Sequence, residues 1–234
     1  KFSVNQQDLQ KSLNYCQGVI EKRSTLPILS NILLDASNSK LTITATDLDL
    51  IFINEIRDIE IQEEGKTTTT ALILYDIIRK LPSEKKINFS FSSENKIELE
   101  SEKSIFHLNC IGSSEFPITD ENFNENQFSI KAKSLLKLLN KCKFSVSNDE
   151  TRHYLSGIFL HQTQVEGKNF LTAVSTDSHR MSISKARLND KIDFESIILP
   201  KKTIPFLPRL REKKSLEMRC THAVASDASE THFL

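Results

Sequence analysis

The stretch Leu41-Thr42-Ile43-Thr44-Ala45-Thr46-Asp47 returns later in the chain as Leu171-Thr172-Ala173-Val174-Ser175-Thr176-Asp177. It belongs to a longer internal repeat, in which the segment from Phe2 to about Phe91 recurs in order from Phe128 to about Met218. The offset grows from about 126 residues to 130 at the quoted stretch. An internal repeat of domain size predicts tandem domains of one fold.

The repeat also predicts the domain boundaries. We expect a first domain at residues 1–126, an incomplete second domain at 127–219 and an atypical tail at 220–234. The run from Thr119 to Asn126 is polar without an apolar period, so we interpret it as the linker. The tail is rich in Ala and Ser and lacks the alternation of a strand, so we predict that it is poorly ordered.

Apolar spacing predicts an α+β fold for each copy. Leu9, Leu13 and Cys16 lie three and four residues apart, as on the buried face of a helix, and Leu135, Leu139 and Cys142 repeat them. Alternating strands follow, then a second helix from about Ala71 to Leu81, which Pro82 would close. Its counterpart is expected at about Thr203 to Leu210. Residues 86–91 and 96–99 are typical of a hairpin.

The charge balance differs between the two copies. Residues 1–126 carry a net charge of −7 and residues 127–234 a net charge of +7, although the whole chain is neutral. This contrast favours a polyanion partner for the second copy, while solvated lysine-rich helices are the alternative interpretation. Candidate contacts are Arg23, Arg79, Lys137, Lys141, Arg152-His153-Tyr154 and Lys201-Lys202.

Several functional classes find no support in the sequence. The five glycines are too scattered for a phosphate-binding loop, and no His-x-x-x-His pair indicates a metal site, so we expect neither cofactor nor metal. The four cysteines form no Cys-x-x-Cys pair and are typical of a reducing compartment. We expect no secretion signal and no membrane span, and hence a cytoplasmic protein.

The segment Thr176-Asp177-Ser178-His179-Arg180-Met181 supports two interpretations. Asp177 and His179 are side chains that a metal-assisted nuclease or phosphoesterase could use, but a catalytic set is normally assembled across a fold. The alternative is a polar turn between strands that, with Leu155 from the preceding strand, edges an apolar groove. A peptide-binding scaffold without DNA is a third hypothesis.

The chain resembles the beta sliding clamp subunit of bacterial DNA polymerase III over about residues 1–219. The matching stretches are Arg23-Ser24-Thr25-Leu26-Pro27-Ile28-Leu29, Thr46-Asp47-Leu48, Tyr154-Leu155-Ser156-Gly157 and Thr176-Asp177-Ser178-His179-Arg180. The resemblance implies domains with paired sheets outside and two helices inside, around a ring that encircles duplex DNA. The implied function is processivity in DNA replication, a non-catalytic role.

The resemblance also implies site residues. DNA-contacting positions of the family fall on Arg23, Arg79, His153, Tyr154 and Lys202, to which we add the helix lysines Lys137 and Lys141. The groove that receives short polymerase and clamp-loader peptides falls on Leu155, Thr176, Ser178, His179, Arg180 and Met181.

Two departures from the family pattern concern the predicted DNA edge and the assembly. Leu72 and Asp149 stand where the family commonly has a basic and an amide DNA contact, and a carboxylate at Asp149 would repel phosphate. The family has three such domains and closes as a two-fold ring, whereas we expect this chain to have one full domain, most of a second and no third. The chain is therefore either a truncated, monomeric remnant, which the tail favours, or the subunit of a three-fold ring.

Overall fold

The computed structural model describes residues 1–20, 26–48, 51–57, 59–93, 95–117, 127–149, 151–188, 196–203 and 215–219. At a few of these positions, including His153 and Lys202, only the backbone is described. The chain divides into two compact units, Lys1–Thr119 and Asp120–Leu234, here called unit 1 and unit 2. The predicted linker and the predicted disordered tail lie outside the described residues.

The described residues of unit 1 form one antiparallel sheet and two α-helices. Its elements are β1 (Phe2–Asn5), α1 (Gln6–Cys16), β2 (Asn31–Ser37), β3 (Lys40–Thr46), β4 (Ile51–Arg57), β5 (Glu60–Ile61), β6 (Gly65–Thr70), α2 (Ala71–Ile78), β7 (Lys86–Ser93), β8 (Lys96–Ser101) and β9 (Ser104–Ile111). The strand order is β4-β3-β2-β6-β9-β8-β7-β1-β5. Strand β9 joins the two halves of the sheet, because its start pairs with β8 and its last two residues pair with β6.

The first helix of unit 1 forms where its apolar period predicts it. Asn5 caps its N-terminus, since the Asn5 side-chain oxygen accepts a hydrogen bond from the amide of Gln7 at 2.9 Å. Leu9, Leu13 and Cys16 are fully buried and belong to the core with the inward residues of the sheet. Burial of an amphipathic stripe, rather than intrinsic helix propensity, stabilises so short a helix.

Unit 2 repeats this order with two sheets among its described residues. Its elements are β10 (Gln127–Lys131), α3 (Ala132–Cys142), β11 (Gly157–Val165), β12 (Lys168–Thr176), β13 (Met181–Arg187), β14 (Ile197–Pro200) and β15 (Ser215–Arg219). Strands β10 and β15 form an antiparallel pair, and the other four are ordered β13-β12-β11-β14. The core of unit 2 gathers the apolar face of α3 and the inward residues of β11 and β12.

Strand register explains why the offset of the repeat grows from 126 to 130. In unit 1 the β2–β3 hairpin closes at the pair Ser37 and Lys40, and in unit 2 the β11–β12 hairpin closes at Val165 and Lys168. Each arm of the second hairpin is two residues longer, which adds four residues in all. At the last strand, Phe2 pairs with Phe89 in unit 1 and Phe128 pairs with Met218 in unit 2, which gives an offset of 129 there.

Some predicted boundaries were wrong. Helix α2 ends at Ile78, before Pro82, because the amides of Lys80 and Leu81 already bond three residues back instead of four. Leu155 lies in a short 3-10 helix, His153–Leu155, rather than in the strand that follows it. The predicted counterpart of α2 falls mostly on residues 204–210, outside the described residues.

The described cysteines carry free thiols. Cys16 and Cys142 are buried in the two cores and Cys110 is half-buried, while Cys220 lies outside the described residues. Burial raises the pKa of the Cys16 thiol to about 12. Among the helices in the described part of the chain, none is long and apolar enough to cross a membrane.

Gly157 lies at a close approach of two strands in unit 2. A Cβ atom added there would lie 2.5 Å from Ile198 Cγ2 and 2.6 Å from the carbonyl oxygen of Leu199. In unit 1 the equivalent position is Asn31, whose amide nitrogen donates to Thr68 Oγ1 at 3.1 Å. The equivalent space is thus occupied by a hydrogen-bonded Asn–Thr pair in unit 1 and by a glycine beside a large apolar residue, Ile198, in unit 2.

We expect Gly157→Ala to lower the free energy of unfolding by about 1–3 kcal/mol, because the added methyl group overpacks the β11–β14 contact. The control is Gly65→Ala, where the nearest atom would be Phe91 Cε2 at an ordinary 3.7 Å. Urea denaturation followed by circular dichroism measures both. Equal stability of the two variants would contradict the close contact in unit 2.

Candidate nucleic-acid and peptide interface

Helix α3 has one apolar face and one cationic face. Leu135, Leu138, Leu139 and Cys142 are at most 1% exposed, so the helix can present only its opposite side to solvent. Lys133, Lys137 and Lys141 are exposed and lie four residues apart on that side. Three ammonium groups in a row over little more than two helical turns can contact successive phosphates of a polyanion.

The predicted contact Arg79 lies just beyond α2 rather than on it. It is the C-cap residue that follows Ile78, and its side chain is about half exposed. Its Nε atom lies 3.1 Å from Asp76 Oδ1, and its guanidinium lies 5.9 Å from the centre of the Tyr75 ring. Arg79 is therefore held along its own helix and partly neutralised there.

A short loop after α3, residues 147–156, carries three of the predicted DNA contacts. Its ends are tied together, since the amide of Ser147 donates to the carbonyl of Leu155 at 3.0 Å. Asp149 Oδ1 accepts hydrogen bonds from the amide and the hydroxyl of Thr151 at 3.0 and 2.6 Å, and Oδ2 accepts from Arg152 Nε at 2.8 Å. Tyr154 is 55% exposed at the end of this loop.

The charge of Asp149 is offset by its neighbours. The side-chain and backbone hydrogen bonds of Thr151, followed by the Arg152 guanidinium, hold the pKa of this carboxyl below its ordinary value. Asp149 is thus ionised but paired with a cation. The ion pair with Arg152 offsets part of the negative charge that this carboxylate would present to phosphate.

The turn between β12 and β13, residues 176–181, is organised by Asp177. Its Oδ1 atom accepts from the amides of His179 and Arg180, both at 3.0 Å, and its Oδ2 accepts from Arg180 Nε at 2.9 Å. Burial opposes ionisation of Asp177, but these amides and the Arg180 guanidinium outweigh it and lower its pKa. Asp177 is therefore a structural acceptor for the turn.

Thr176 completes the same turn and shows that it is repeated in both units. The Thr176 hydroxyl donates to the carbonyl of Arg180 at 2.9 Å and accepts from the amide of Ser178 at 3.1 Å. In unit 1, Thr46 Oγ1 accepts from the amide of Leu48 at 3.0 Å. Ser178 and Leu48 have φ of +76° and +77°, a conformation that is costly for both because they carry a Cβ atom.

The predicted groove residues of unit 2 flank this turn. Met181 begins β13 and is 63% exposed, and Leu155 is partly buried beside the start of β11. The Arg180 guanidinium lies 5.8 Å from the centre of the Phe144 ring, which is 58% exposed. Sequence reasoning missed Phe144, because a single exposed aromatic residue after a helix has no period to reveal it.

Other predicted contacts are only partly described. Arg23 lies outside the described residues. His153 and Lys202 lie in short 3-10 helices, His153–Leu155 and Lys201–Thr203, with only their backbone described. The adjacent Lys201 is tied to the loop, since its Nζ donates to Asn148 Oδ1 and its amide to the carbonyl of Ser156.

Family models match both units. A model of the DNA polymerase III beta subunit, N-terminal domain, matches residues 1–120, and a model of the central domain of that subunit matches residues 129–225. Among curated proteins, the chain is 34% identical to the beta sliding clamp of Caulobacter vibrioides, over 91% of this chain and 57% of the relative. It is 30% identical to that of Escherichia coli K12, over 90% of this chain and 56% of the relative.

Solved structures agree with these matches. A DNA polymerase sliding clamp from Caulobacter crescentus superposes with a TM-score of 0.87 at 32% identity, over 94% of this chain and 60% of that one. A sliding clamp from Bartonella birtlesii bound to griselimycin gives the same TM-score and identity, over 94% and 59%. The predicted resemblance and the predicted fold class are confirmed. The chain spans little more than half the length of these relatives.

For Asp177→Asn, we expect a loss of stability that depends on pH. A carboxyl whose pKa is lowered in the folded state stabilises above its ordinary pKa, and this contribution disappears as the carboxyl becomes protonated. Wild type and variant should therefore differ in unfolding free energy near neutral pH and converge as the pH falls below about 4. Denaturation curves at several pH values test this, and a constant difference down to acid pH would contradict it.

Proposed function

Because the chain belongs to the family of the DNA polymerase III beta subunit, we propose that it acts as a sliding clamp. In this role it is a non-catalytic processivity factor of DNA replication in the cytoplasm, which encircles duplex DNA and tethers polymerase. The observation that carries the proposal is the cationic face of α3, fixed in position by the burial of its other face. The matches of family models to both units support the same proposal.

The cationic face of α3 and the 147–156 loop, together called the candidate DNA edge, have the chemistry that a sliding contact requires. Lysine neutralises phosphates without reading bases, so an ammonium row allows movement along the duplex. The exposed Tyr154 stands at the end of the neighbouring loop, and Arg152 offsets Asp149 within it. The edge is therefore sequence-blind, as a ring that travels over any sequence requires.

The arrangement of Asp177 argues against the nuclease alternative. Both carboxylate oxygens of Asp177 are used by the turn, which leaves it poorly suited to hold a metal or a proton in catalysis. Within the described ranges, no group of three or more His, Cys, Asp and Glu side chains could hold a metal ion. A non-catalytic role is the better account of these residues.

We assign short peptides of polymerase and clamp-loader subunits to the groove beside the 176–181 turn. Met181 and Leu155 would bind apolar peptide side chains, while the turn itself is held in place by Thr176 and Asp177. Griselimycin is bound in the Bartonella birtlesii clamp, and we propose that it binds this groove in the present chain and can serve as its chemical probe.

We expect Lys137→Ala combined with Lys141→Ala to weaken binding to a 30-base-pair duplex of arbitrary sequence. Each lost phosphate contact should reduce the slope of log K against log salt by about 0.9, so the pair should reduce it by roughly 2. Fluorescence anisotropy at several salt concentrations measures both quantities.

The matched control removes two exposed lysines from the sheet of the same unit, Lys168→Ala with Lys185→Ala. Lys185 pairs with Thr172, which lies between the core residues Leu171 and Ala173 on β12. Because side chains alternate along a strand, Thr172 and its partner Lys185 lie on the other face of the sheet, away from the core and from α3. The control has the same net charge as the helix variant. Equal loss of binding in both would show a diffuse charge effect and count against a DNA contact by α3.

For the groove, we expect Met181→Ala to weaken griselimycin binding by about ten-fold or more, because a central apolar anchor dominates such contacts. The control is Ile51→Ala, which changes the equivalent exposed first residue of β4 in unit 1. Isothermal titration calorimetry on the 234-residue chain measures both. Equal affinities of the two variants would contradict the assignment of Met181 to the groove.

The two alternatives for self-association differ in mass. Light scattering after size-exclusion chromatography, at several concentrations of the 234-residue chain, separates them. A mass of three chains would support a three-fold ring, and a mass of one chain throughout would support the monomeric alternative. The duplex-binding measurement can be interpreted for either mass, because contacts between α3 and DNA do not require a closed ring.

A further inference from the structure

The Arg152 side chain connects the 147–156 loop, called the DNA-edge loop, to the 176–181 turn, called the groove turn, within unit 2. Arg152 Nε donates to Asp149 Oδ2 at 2.8 Å, and Arg152 Nη1 donates to Ser178 Oγ at 3.1 Å. Asp149 belongs to the 147–156 loop, and Ser178 belongs to the 176–181 turn. The two segments carry different proposed functions, so this contact has consequences for both.

We propose that Arg152 is a positioning residue that holds the groove turn in place, and that a phosphate of duplex DNA competes with Ser178 for its guanidinium. The coupling to DNA rests on the proposed function, while the positioning role does not. By linkage, DNA at the loop would then weaken a groove ligand and a groove ligand would weaken DNA by the same factor.

The backbone of the turn makes this contact consequential. Ser178 is held at φ +76°, where a residue with a Cβ atom is strained, so the turn needs outside support. The amides of Ser178, His179 and Arg180 are bonded to the side chains of Thr176 and Asp177, which belong to the turn itself. The amide of Asp177 is bonded to the carbonyl of Arg180, again within the turn. The Arg152 contact adds a tie from a different segment of the chain.

Guanidinium chemistry makes Arg152 suited to this exchange. Its planar fork offers five donors and can serve two acceptors at once, and it binds phosphate oxygens in the same geometry as a carboxylate. Lysine is a single point charge and cannot span Asp149 and Ser178 together. Arg152→Lys therefore keeps the positive charge that DNA binding requires and removes the bridge that the turn requires.

The first experiment measures exchange of the amides of Ser178 and His179 with water by NMR, in the absence of DNA. We expect Arg152→Lys and Ser178→Ala each to accelerate exchange roughly five-fold, and the double variant to add no further increase. The control is Arg187→Ala, which removes an exposed cation at the end of β13 and should leave these amides unchanged. Unchanged exchange in Arg152→Lys would overturn the positioning role.

The second experiment adds a 30-base-pair duplex to the wild type and to Ser178→Ala. Saturating duplex should accelerate exchange of the same amides in the wild type by a similar factor, and should have no added effect in Ser178→Ala. Measured binding without any change in exchange would overturn the coupling. If the duplex does not bind at all, the proposed function fails, while the first experiment still decides the positioning role of Arg152.

Discussion

The buried stripe on the first helix of each unit is the constraint on which the rest of the structure depends. Leu9, Leu13 and Cys16 in unit 1, and their counterparts in unit 2, are excluded from water, so each helix has only one orientation against its sheet. Burial of three such side chains contributes several kcal/mol, at about 25 cal/mol per Å² of apolar area. Whatever lies on the opposite side of the helix must face solvent. In unit 2 that side carries lysines, so the packing of the core also sets the electrostatics of the candidate DNA edge.

The second repeated device is the turn that follows Thr46 and Thr176. In both units the threonine hydroxyl accepts a hydrogen bond from the amide of the residue two positions later. That later residue, Leu48 or Ser178, has a left-handed backbone conformation. In unit 2, Asp177 accepts hydrogen bonds from two amides of the turn and forms an ion pair with Arg180. In unit 2 the turn that carries this polar network borders the candidate groove. A repeated fold can differ in function through a few side chains placed on an unchanged turn.

Much of this fold could be predicted from the sequence, because its signals are periodic. Three- and four-residue spacing locates α1 and α3, and alternation locates the hairpins. The end of α2 could not be predicted from Pro82, since the last turn tightens earlier through hydrogen bonds that no residue type specifies. The candidate groove turn is visible as Thr-Asp in both copies. The bridge from Arg152 to Ser178 is not visible in the sequence, because it joins residues 26 positions apart in two connecting segments. Only the tertiary fold creates such a contact.

The pairing of distant strands within each unit has a kinetic consequence. Phe2 pairs with Phe89 and Phe128 with Met218, so each unit is closed by strands from opposite ends of its repeat, whereas the β2–β3 and β11–β12 hairpins are local. Local hairpins cost little loop entropy and can form early, while the closing pair must wait until the intervening chain is ordered. During synthesis, each first strand and its helix therefore emerge long before their partner strand and stay without it until the last part of the unit is made.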